Sequence, residues 1–281
     1  MCVCELVHAG SSADTLRGVA RTRLDTLLVE RGLFESRTRA AAAVMAGEVR
    51  LGEDGPLADK PGQLVQGDAA LVVAPGTEFV SRGGQKLANA LDAFGIDPSG
   101  RSCLDVGAST GGFSDCLLQR GADRVIALDV AYGELHWRIR NHPRVTVIER
   151  MNARGVSSDD LPYAPDFIAV DVSFISLEKV LPAVLGAAAA RFDCLALVKP
   201  QFEVGRERVG KGGVVRSTDD RRSALVAVGR AARELGYSLL GFASSGLPGP
   251  AGNQETFAWI AEPGRSGAVD DVERAAREVE P

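Results

Sequence analysis

Histidine and cysteine are scarce in this chain, at three and five residues. No C-x-x-C pair occurs, and Cys2 and Cys4 have no His or Cys cluster nearby to complete a metal site. The odd cysteine count argues against a secreted disulfide scaffold, so no metal is expected and a reduced, cytoplasmic setting is. Long apolar runs are missing too: the longest, Val180 to Ala190, is interrupted by Pro182 and Gly186 and is too short to cross a bilayer. The N-terminal run from Met1 to His8 lacks a basic segment ahead of an apolar core, which excludes a secretory signal. There is no internal repeat and no low-complexity tract. Nor is there an excess of positive charge. A net charge of −5 weighs against nucleic acid as a bulk property and leaves the local distribution of cations to decide.

What is present fits a soluble globular protein: 281 residues, 45% hydrophobic and 25% charged, enough for one large α/β domain and a small one. The centre of the chain is Ser102-Cys-Leu-Asp-Val-Gly-Ala-Ser-Thr-Gly-Gly-Phe-Ser114. An apolar run ends at Asp105, a glycine-rich turn follows, and Phe113, Cys116, Leu117 and Leu118 continue at helical spacing, which predicts strand, tight turn, helix. Ser109 stands where the dinucleotide fingerprint G-x-G-x-x-G needs its second glycine, so an NAD site fits poorly. The spacing resembles the acidic-x-Gly-x-x-x-Gly turn of S-adenosylmethionine (SAM) methyltransferases. That resemblance makes Asp105, Gly107, Ala108, Ser109, Gly111, Gly112 and Phe113 candidate cofactor contacts, although a glycine-rich turn can also be only a tight connection.

From the N-terminus, residues 1–21 show no sustained period and are expected to form a disordered leader. Leu24, Leu27 and Leu28 then predict a helix that stops at Gly32, and Ser36 caps a second one running through Ala40, Ala43 and Val44 to Gly47. Short β-like pieces follow at Val49 to Leu51 and Ala69 to Ala74. Arg23-Leu-Asp25, Leu28-Val-Glu-Arg-Gly32, Ser36-Arg37, Gly47-Glu-Val49, Lys60-Pro61 and Gly67-Asp68 together resemble the S-four-type (αL) RNA-binding domain, here residues 22–74. The resemblance implies phosphate contact by Arg37 and Arg39, and by Arg31 and Arg50; a solvated helix face is the plainer alternative. Residues 75–80, with Pro75-Gly76, read as a linker.

Beyond it lies the large domain, residues 81–262. A helix is expected through Leu87, Leu91 and Phe94, with Arg82 and Lys86 at its start. Apolar strand candidates then run Cys103 to Val106, Val125 to Val130, Val145 to Ile148, Phe167 to Val172, Cys194 to Val198, Leu239 to Ala243 and Thr256 to Ile260. Helical patterns at Phe113 to Arg120, Gly133 to Arg140, Leu177 to Ala190 and Thr218 to Leu235 alternate with the earlier strands. The fold class is therefore α/β, a Rossmann-like, mainly parallel sheet with helices on both faces and an antiparallel edge pair at its end. The tail, 263–281, reads as one charged helix of marginal stability, Val269 to Val279.

Strand ends in such sheets face a common crevice, which singles out Asp129, Asp171 and Lys199. Asp129 suits ribose hydroxyls, its plain reading being a strand-end cap on Tyr132-Gly133, and Asn152, just past the third strand, suits an adenine edge. Asp171 and Lys199 could be a mere structural ion pair, and Glu255 a hairpin exit. As a set, however, Lys86, Asp171, Lys199 and Glu255 resemble the Lys-Asp-Lys-Glu tetrad of RNA ribose 2′-O-methyltransferases. Ser81-Arg-Gly-Gly-Gln-Lys-Leu87, Asp171-Val-Ser-Phe-Ile-Ser176, Val198-Lys-Pro-Gln-Phe-Glu-Val-Gly205 and Gly249-Pro-Ala-Gly-Asn253 resemble motifs of the TlyA family, FtsJ-like enzymes historically labelled hemolysin-like. In actinobacterial members of the family Arg-Ala-Trp precedes this Val-Ser-Arg-Gly; here Thr77-Glu78-Phe79 keeps the aromatic and loses the arginine.

The resemblance implies SAM as cofactor, shared by Asp171 with the residues above, and cytidine ribose in ribosomal RNA of ribosomal subunits as substrate, handled by a monomer with no membrane contact. Because a ribose hydroxyl needs alignment and a route for one proton, Lys199 is expected to remove or orient that proton, Lys86 to steady the developing oxyanion, and Asp171 and Glu255 to position the lysines. Arg82 and the loop cations Arg206, Arg208 and Lys211 would meet RNA, and Phe174 or Phe202, unless they are core, would support a turned-out nucleotide. A cytolysin and a non-catalytic RNA-binding assembly factor remain the alternatives.

Overall fold

The computed structural model describes residues 21–34, 36–45, 47–53, 55–73 and 79–280. The expected leader up to residue 20, and most of the expected linker, lie outside them; Arg21, the last residue of that leader, opens the first strand. The chain divides into two compact units, 1–76 and 77–281.

In the first unit a strand, β1 (Arg21–Arg23), runs straight into a helix, α1 (Leu24–Glu30), followed by α2 (Arg37–Met45), β2 (Val49–Leu51), β3 (Leu64–Gln66) and β4 (Leu71–Val73). Ser36 Oγ accepts from Arg39 N at 3.3 Å, the expected cap on α2. Leu24, Leu27, Leu28, Ala40, Ala43 and Val44 close a small core between the helices. β1 pairs with β3 and β2 with β4, both antiparallel. Neither β1 nor β3 was expected: three residues carry too little alternation to be read.

The second unit begins with α3 (Arg82–Phe94), whose apolar face carries Leu87 and Leu91 inward and which ends at Gly95 in the left-handed conformation. Then come β5 (Ser102–Val106), α4 (Gly112–Gln119), β6 (Arg124–Asp129), α5 (Trp137–Arg140), β7 (Val145–Glu149), β8 (Phe167–Val170), α6 (Leu181–Gly186), β9 (Asp193–Val198), α7 (Pro200–Glu203), α8 (Thr218–Glu234), β10 (Ser238–Ser244), β11 (Thr256–Ala261) and α9 (Val272–Val279). Among the described residues they build one seven-stranded sheet in the order β10-β11-β9-β8-β5-β6-β7. Contacts among β5 to β9 are parallel; β11 runs antiparallel to both β9 and β10. Two apolar layers sandwich the sheet, one containing Leu104, Ile168, Val184 and Val228, the other Leu87, Leu91, Phe113 and Phe167. The α/β, mainly parallel sheet with an antiparallel edge pair expected from strand–helix alternation is the fold.

Several boundaries differ from expectation. The helix expected over Gly133 to Arg140 begins only at Trp137, because Gly133 adopts φ +81° and donates its N–H to Glu149 Oε1 at 2.8 Å, which ties it into a turn. The span Leu177 to Ala190 is split: a single 3₁₀ turn at Leu177–Lys179 precedes α6, and Pro182, lacking an N–H, sits in its first turn. β6 stops at Asp129 because the Asp129 carboxylate takes the Ala131 N–H at 2.8 Å and turns the chain. The C-terminal segment is no marginal tail. α9 buries Val272 and Ala276 against the core, and Arg221 Nε of α8 meets Glu280 Oε2 at 2.9 Å.

Candidate functional site

The register of the sheet brings the site together. β8 and β9 are parallel neighbours and end one residue before Asp171 and Lys199 respectively. β11 is antiparallel to β9 with Thr256 opposite Val198, so the residue entering β11, Glu255, reaches the same edge as Lys199. α3 lies across that edge and delivers Lys86 from its buried face. All four residues line one cavity of about 570 Å³, together with the glycine turn and Phe174.

They form two acid–lysine pairs. Lys86 Nζ donates to Glu255 Oε2 at 2.5 Å, with Lys86 7% and Glu255 2% exposed. Lys199 Nζ lies 2.5 Å from Asp171 Oδ1 and donates to Ser173 Oγ at 2.9 Å. The first pair is the more deeply buried; the second is the more exposed, chiefly at Asp171, whose side chain keeps 25% of its surface open. Ser173 was not singled out from sequence; a hydroxyl in a loop has no periodic signature, and its partner lies 26 residues away in the chain.

The turn between β5 and α4 explains its own composition. Gly107 adopts φ +83°, and a Cβ there would lie 2.3 Å from the Asp171 carbonyl oxygen, so only glycine lets the turn approach the Asp171 loop. Ser109, with φ +46°, follows in the left-handed region, and its N–H donates to Asp129 Oδ2 at 2.7 Å. Ala108 and Gly112 line the cavity, Phe113 packs 5.9 Å from Phe257 beneath it, and Gly111 caps α4 with φ +93°. Asp129 thus accepts from two backbone N–H groups, Ser109 and Ala131, and still borders a second hollow of about 1030 Å³ that also touches Asn152, Phe174 and Arg206. Asn152 is committed on one side: its Oδ1 accepts from Arg154 N at 3.1 Å and Arg154 Nε at 3.3 Å, which leaves its amide donors.

Asp105 is fully buried. Its Oδ2 accepts from Ser114 N at 2.9 Å and Ser114 Oγ at 2.7 Å, while Oδ1 has no partner. Burial pushes its carboxyl up to about 7, against the opposing Ser114 hydroxyl bond and with help from the Asp171 charge. Since the folded value lies above the unfolded one, the protonated folded state is favoured. This group's contribution to stability is full below about pH 4 and is lost as pH rises through about 7. Asp105→Asn, which cannot ionise, is expected to melt higher than the parent at pH 8 and not at pH 5. Thermal unfolding at both pH values is the check, and equal differences at the two would contradict the assignment.

The proposed RNA contacts are distributed unevenly. In the first unit, Arg31 donates to the carbonyls of Gly67 and Ala69, both at 2.6 Å, and Arg50 to that of Gly55 at 3.2 Å, so both tie turns together. Arg37 reaches Asp25 at 3.2 Å, beside Arg23, whose guanidinium holds the Asp25 carboxyl far below the usual range. Arg31, Arg37, Arg39 and Arg50 are all exposed. In the second unit Arg82 is exposed on the cavity wall. Arg208 lies between Glu207 at 3.7 Å and Asp220 at 3.6 Å. Phe174 is 90% exposed, with φ +64° and its ring 5.2 Å from that of Phe202, which excludes a core role for it. Among the described residues no cluster of His, Cys, Asp or Glu is arranged to hold a metal ion, and no helix is long and apolar enough to cross a membrane.

Comparison with known proteins adds sequence relationship to this geometry. The FtsJ-like methyltransferase family model matches residues 79–261. The 16S/23S rRNA (cytidine-2'-O)-methyltransferase TlyA of Mycobacterium tuberculosis is 50% identical over 242 residues, 85% of this chain and 90% of the relative. Hemolysin A of Brachyspira hyodysenteriae is 35% identical over 237 residues, 84% of this chain and 98% of the relative. Among solved structures, a protein of Streptococcus thermophilus provisionally named a hemolysin superposes with a TM-score of 0.70 at 36% identity, covering 93% of this chain and 96% of that one.

Proposed function

Since the chain belongs to the FtsJ-like methyltransferase family, in its TlyA branch, we propose that it transfers a methyl group from SAM to the 2′-hydroxyl of cytidine in ribosomal RNA. The observation that carries the reading is the convergence of two lysine–carboxylate pairs on one cavity beside a glycine turn. A ribose hydroxyl is a poor nucleophile near neutral pH, so alignment and a route for one proton are what the protein must provide. Lys199, lining the cavity and held between Asp171 and Ser173, orients the hydroxyl and provides the route for its proton. Lys86, anchored by Glu255, supplies fixed positive charge for the developing oxyanion.

The residues present fit the cofactor. Gly107 lets the turn pack against the Asp171 loop at the cavity edge, Asp105 borders the cavity with a carboxyl oxygen that has no partner, and Asp129 and Asn152 border the adjoining hollow for its ribose and base. When bound, SAM supplies a sulfonium-activated methyl group with a neutral leaving group. Exposed Arg37 and Arg39 in the first unit and Arg82 in the second are the cations proposed to meet the RNA backbone. Ribosomal RNA as the substrate implies work in the cytoplasm.

Incubation of the purified chain with labelled SAM and separated small and large ribosomal subunits, followed by mapping of ribose methylation, tests the proposal. Label on a cytidine 2′-oxygen is the expected result. Label on a base, or none on either subunit or on protein-free ribosomal RNA assayed beside them, would overturn it; cytidine 2′-O label on the protein-free RNA alone would move the substrate away from the assembled subunit.

A further inference from the structure

The two loops that carry Asp171 and Lys199 meet at more than the ion pair. Residues 171–177 leave β8, and residues 199–204 leave β9. At the cavity, Lys199 meets Asp171 and Ser173; above it the rings of Phe174 and Phe202 lie 5.2 Å apart. At the far end, Glu203 Oε2 accepts from Ser176 Oγ at 2.7 Å and Oε1 accepts from Leu177 N at 3.0 Å. Between these contacts stands Phe174, in a left-handed conformation that a non-glycine residue adopts only when its surroundings hold it there. Its ring is 90% exposed, so burial of the side chain does not supply the hold.

Asp171 has an independent anchor, because its N–H continues the sheet to Val106 O at 2.8 Å. Ser173 has no such strand bond. Its position depends on Lys199 on one side and, across the strained residue, on the bridge from Glu203 on the other. Burial holds the Glu203 carboxyl above its ordinary range, which marks a polar group kept out of water with few donors.

We propose that Glu203 is a positioning residue, whose bridge to Ser176 and Leu177 holds loop 171–177 in the strained form in which Ser173 meets the Lys199 ammonium. This rests on the reading of Lys199 as the residue that handles the hydroxyl proton. Glu203 itself stays out of contact with the reacting groups; its effect passes through Ser173. A displacement of about 1 Å at that contact is enough to slow the reaction by as much as roughly a hundredfold.

The test uses the full chain with labelled SAM and ribosomal subunits, read as kcat and KM separately, with thermal melting as the control for folding. Glu203→Ala is expected to lower kcat at least about tenfold with KM for SAM within about twofold of the parent. Glu203→Gln keeps an acceptor for Leu177 N and a donor for Ser176 Oγ and is expected to restore most of kcat. Ser173→Ala should lower kcat as well, and adding it to Glu203→Ala should change kcat by no more than about twofold, since both remove the same contact. If Glu203→Ala does not fold, Ser176→Ala removes half of the bridge and must still lower kcat.

Unchanged kcat in a folded Glu203→Ala or Ser176→Ala, failure of Glu203→Gln to recover, or full additivity with Ser173→Ala would overturn the inference. A parent without methyl transfer, or Lys199→Ala at parental rate, would instead overturn the reading beneath it.

Discussion

Replacing Lys199 by alanine is expected to lower the rate of methyl transfer by a factor on the order of 10² to 10⁴, the range over which a positioned acid–base group contributes. SAM binding should persist, because the glycine turn, Asp105 and Asp129 are untouched. The geometry behind the expectation is specific. Lys199 is the lysine of the two whose partner, Asp171, remains a quarter exposed, and Ser173 fixes the direction of its ammonium from the cavity side. Asp171→Asn keeps the shape and removes the counter-charge, so it should also slow transfer. Single-turnover rates with labelled SAM, alongside calorimetric SAM binding, separate the two effects. A Lys199→Ala protein that binds SAM and transfers methyl at near-parental rate would remove Lys199 from the chemistry.

The second large effect concerns Lys86 and Glu255 and separates stability from catalysis. Their side chains are 9% and 1% exposed, and the 2.5 Å contact sits under α3. Breaking a buried pair by removing one partner leaves the other charge desolvated and uncompensated, at a cost of about 3–5 kcal/mol. Glu255→Ala is therefore expected to destabilise the protein by roughly 3 kcal/mol and to abolish measurable transfer. Replacing both partners by apolar residues of similar volume, Lys86→Met with Glu255→Leu, should regain most of that stability, because a buried pair is not in itself a strong stabiliser. Activity should not return. Urea unfolding and the methylation assay on the same preparations are the check; a double variant that is stable and active would mean that the pair is only structural.

The difference between what sequence and structure each reveal follows from length scale. Strand–helix alternation from β5 to β9 spans whole elements, and the sheet follows it closely, including the antiparallel final strands. Strand ends carrying Asp171 and Lys199 could be located because a polar residue after an apolar run is visible locally. Contacts between loops could not. Ser176 and Glu203 are 27 residues apart, and only the parallel pairing of β8 and β9 makes them neighbours. Asp105 shows the middle case: its place in the glycine motif was plain, but its complete burial and unpartnered oxygen depend on α4 folding back to present Ser114. The tail misled for the opposite reason. Its charges are conspicuous in the sequence, whereas two small apolar residues, Val272 and Ala276, decide that α9 packs.

The reversed direction of β11 gives the hairpin that precedes it a distinct status. Asp171 and Lys199 are delivered by chain leaving the sheet, but Glu255 arrives on chain entering it, behind the turn from Ser245 to Gln254. That turn is held to its surroundings by Asn253, which accepts from Val215 N at 2.9 Å and donates to Gly213 O at 2.8 Å. One jaw of the cavity can thus be lengthened or reshaped by insertions that leave the parallel strands and their two polar termini in register. Among proteins built on this sheet, divergence in which RNA surface is accommodated should concentrate in the hairpin, with the opposite jaw held constant by the pairing of its strands.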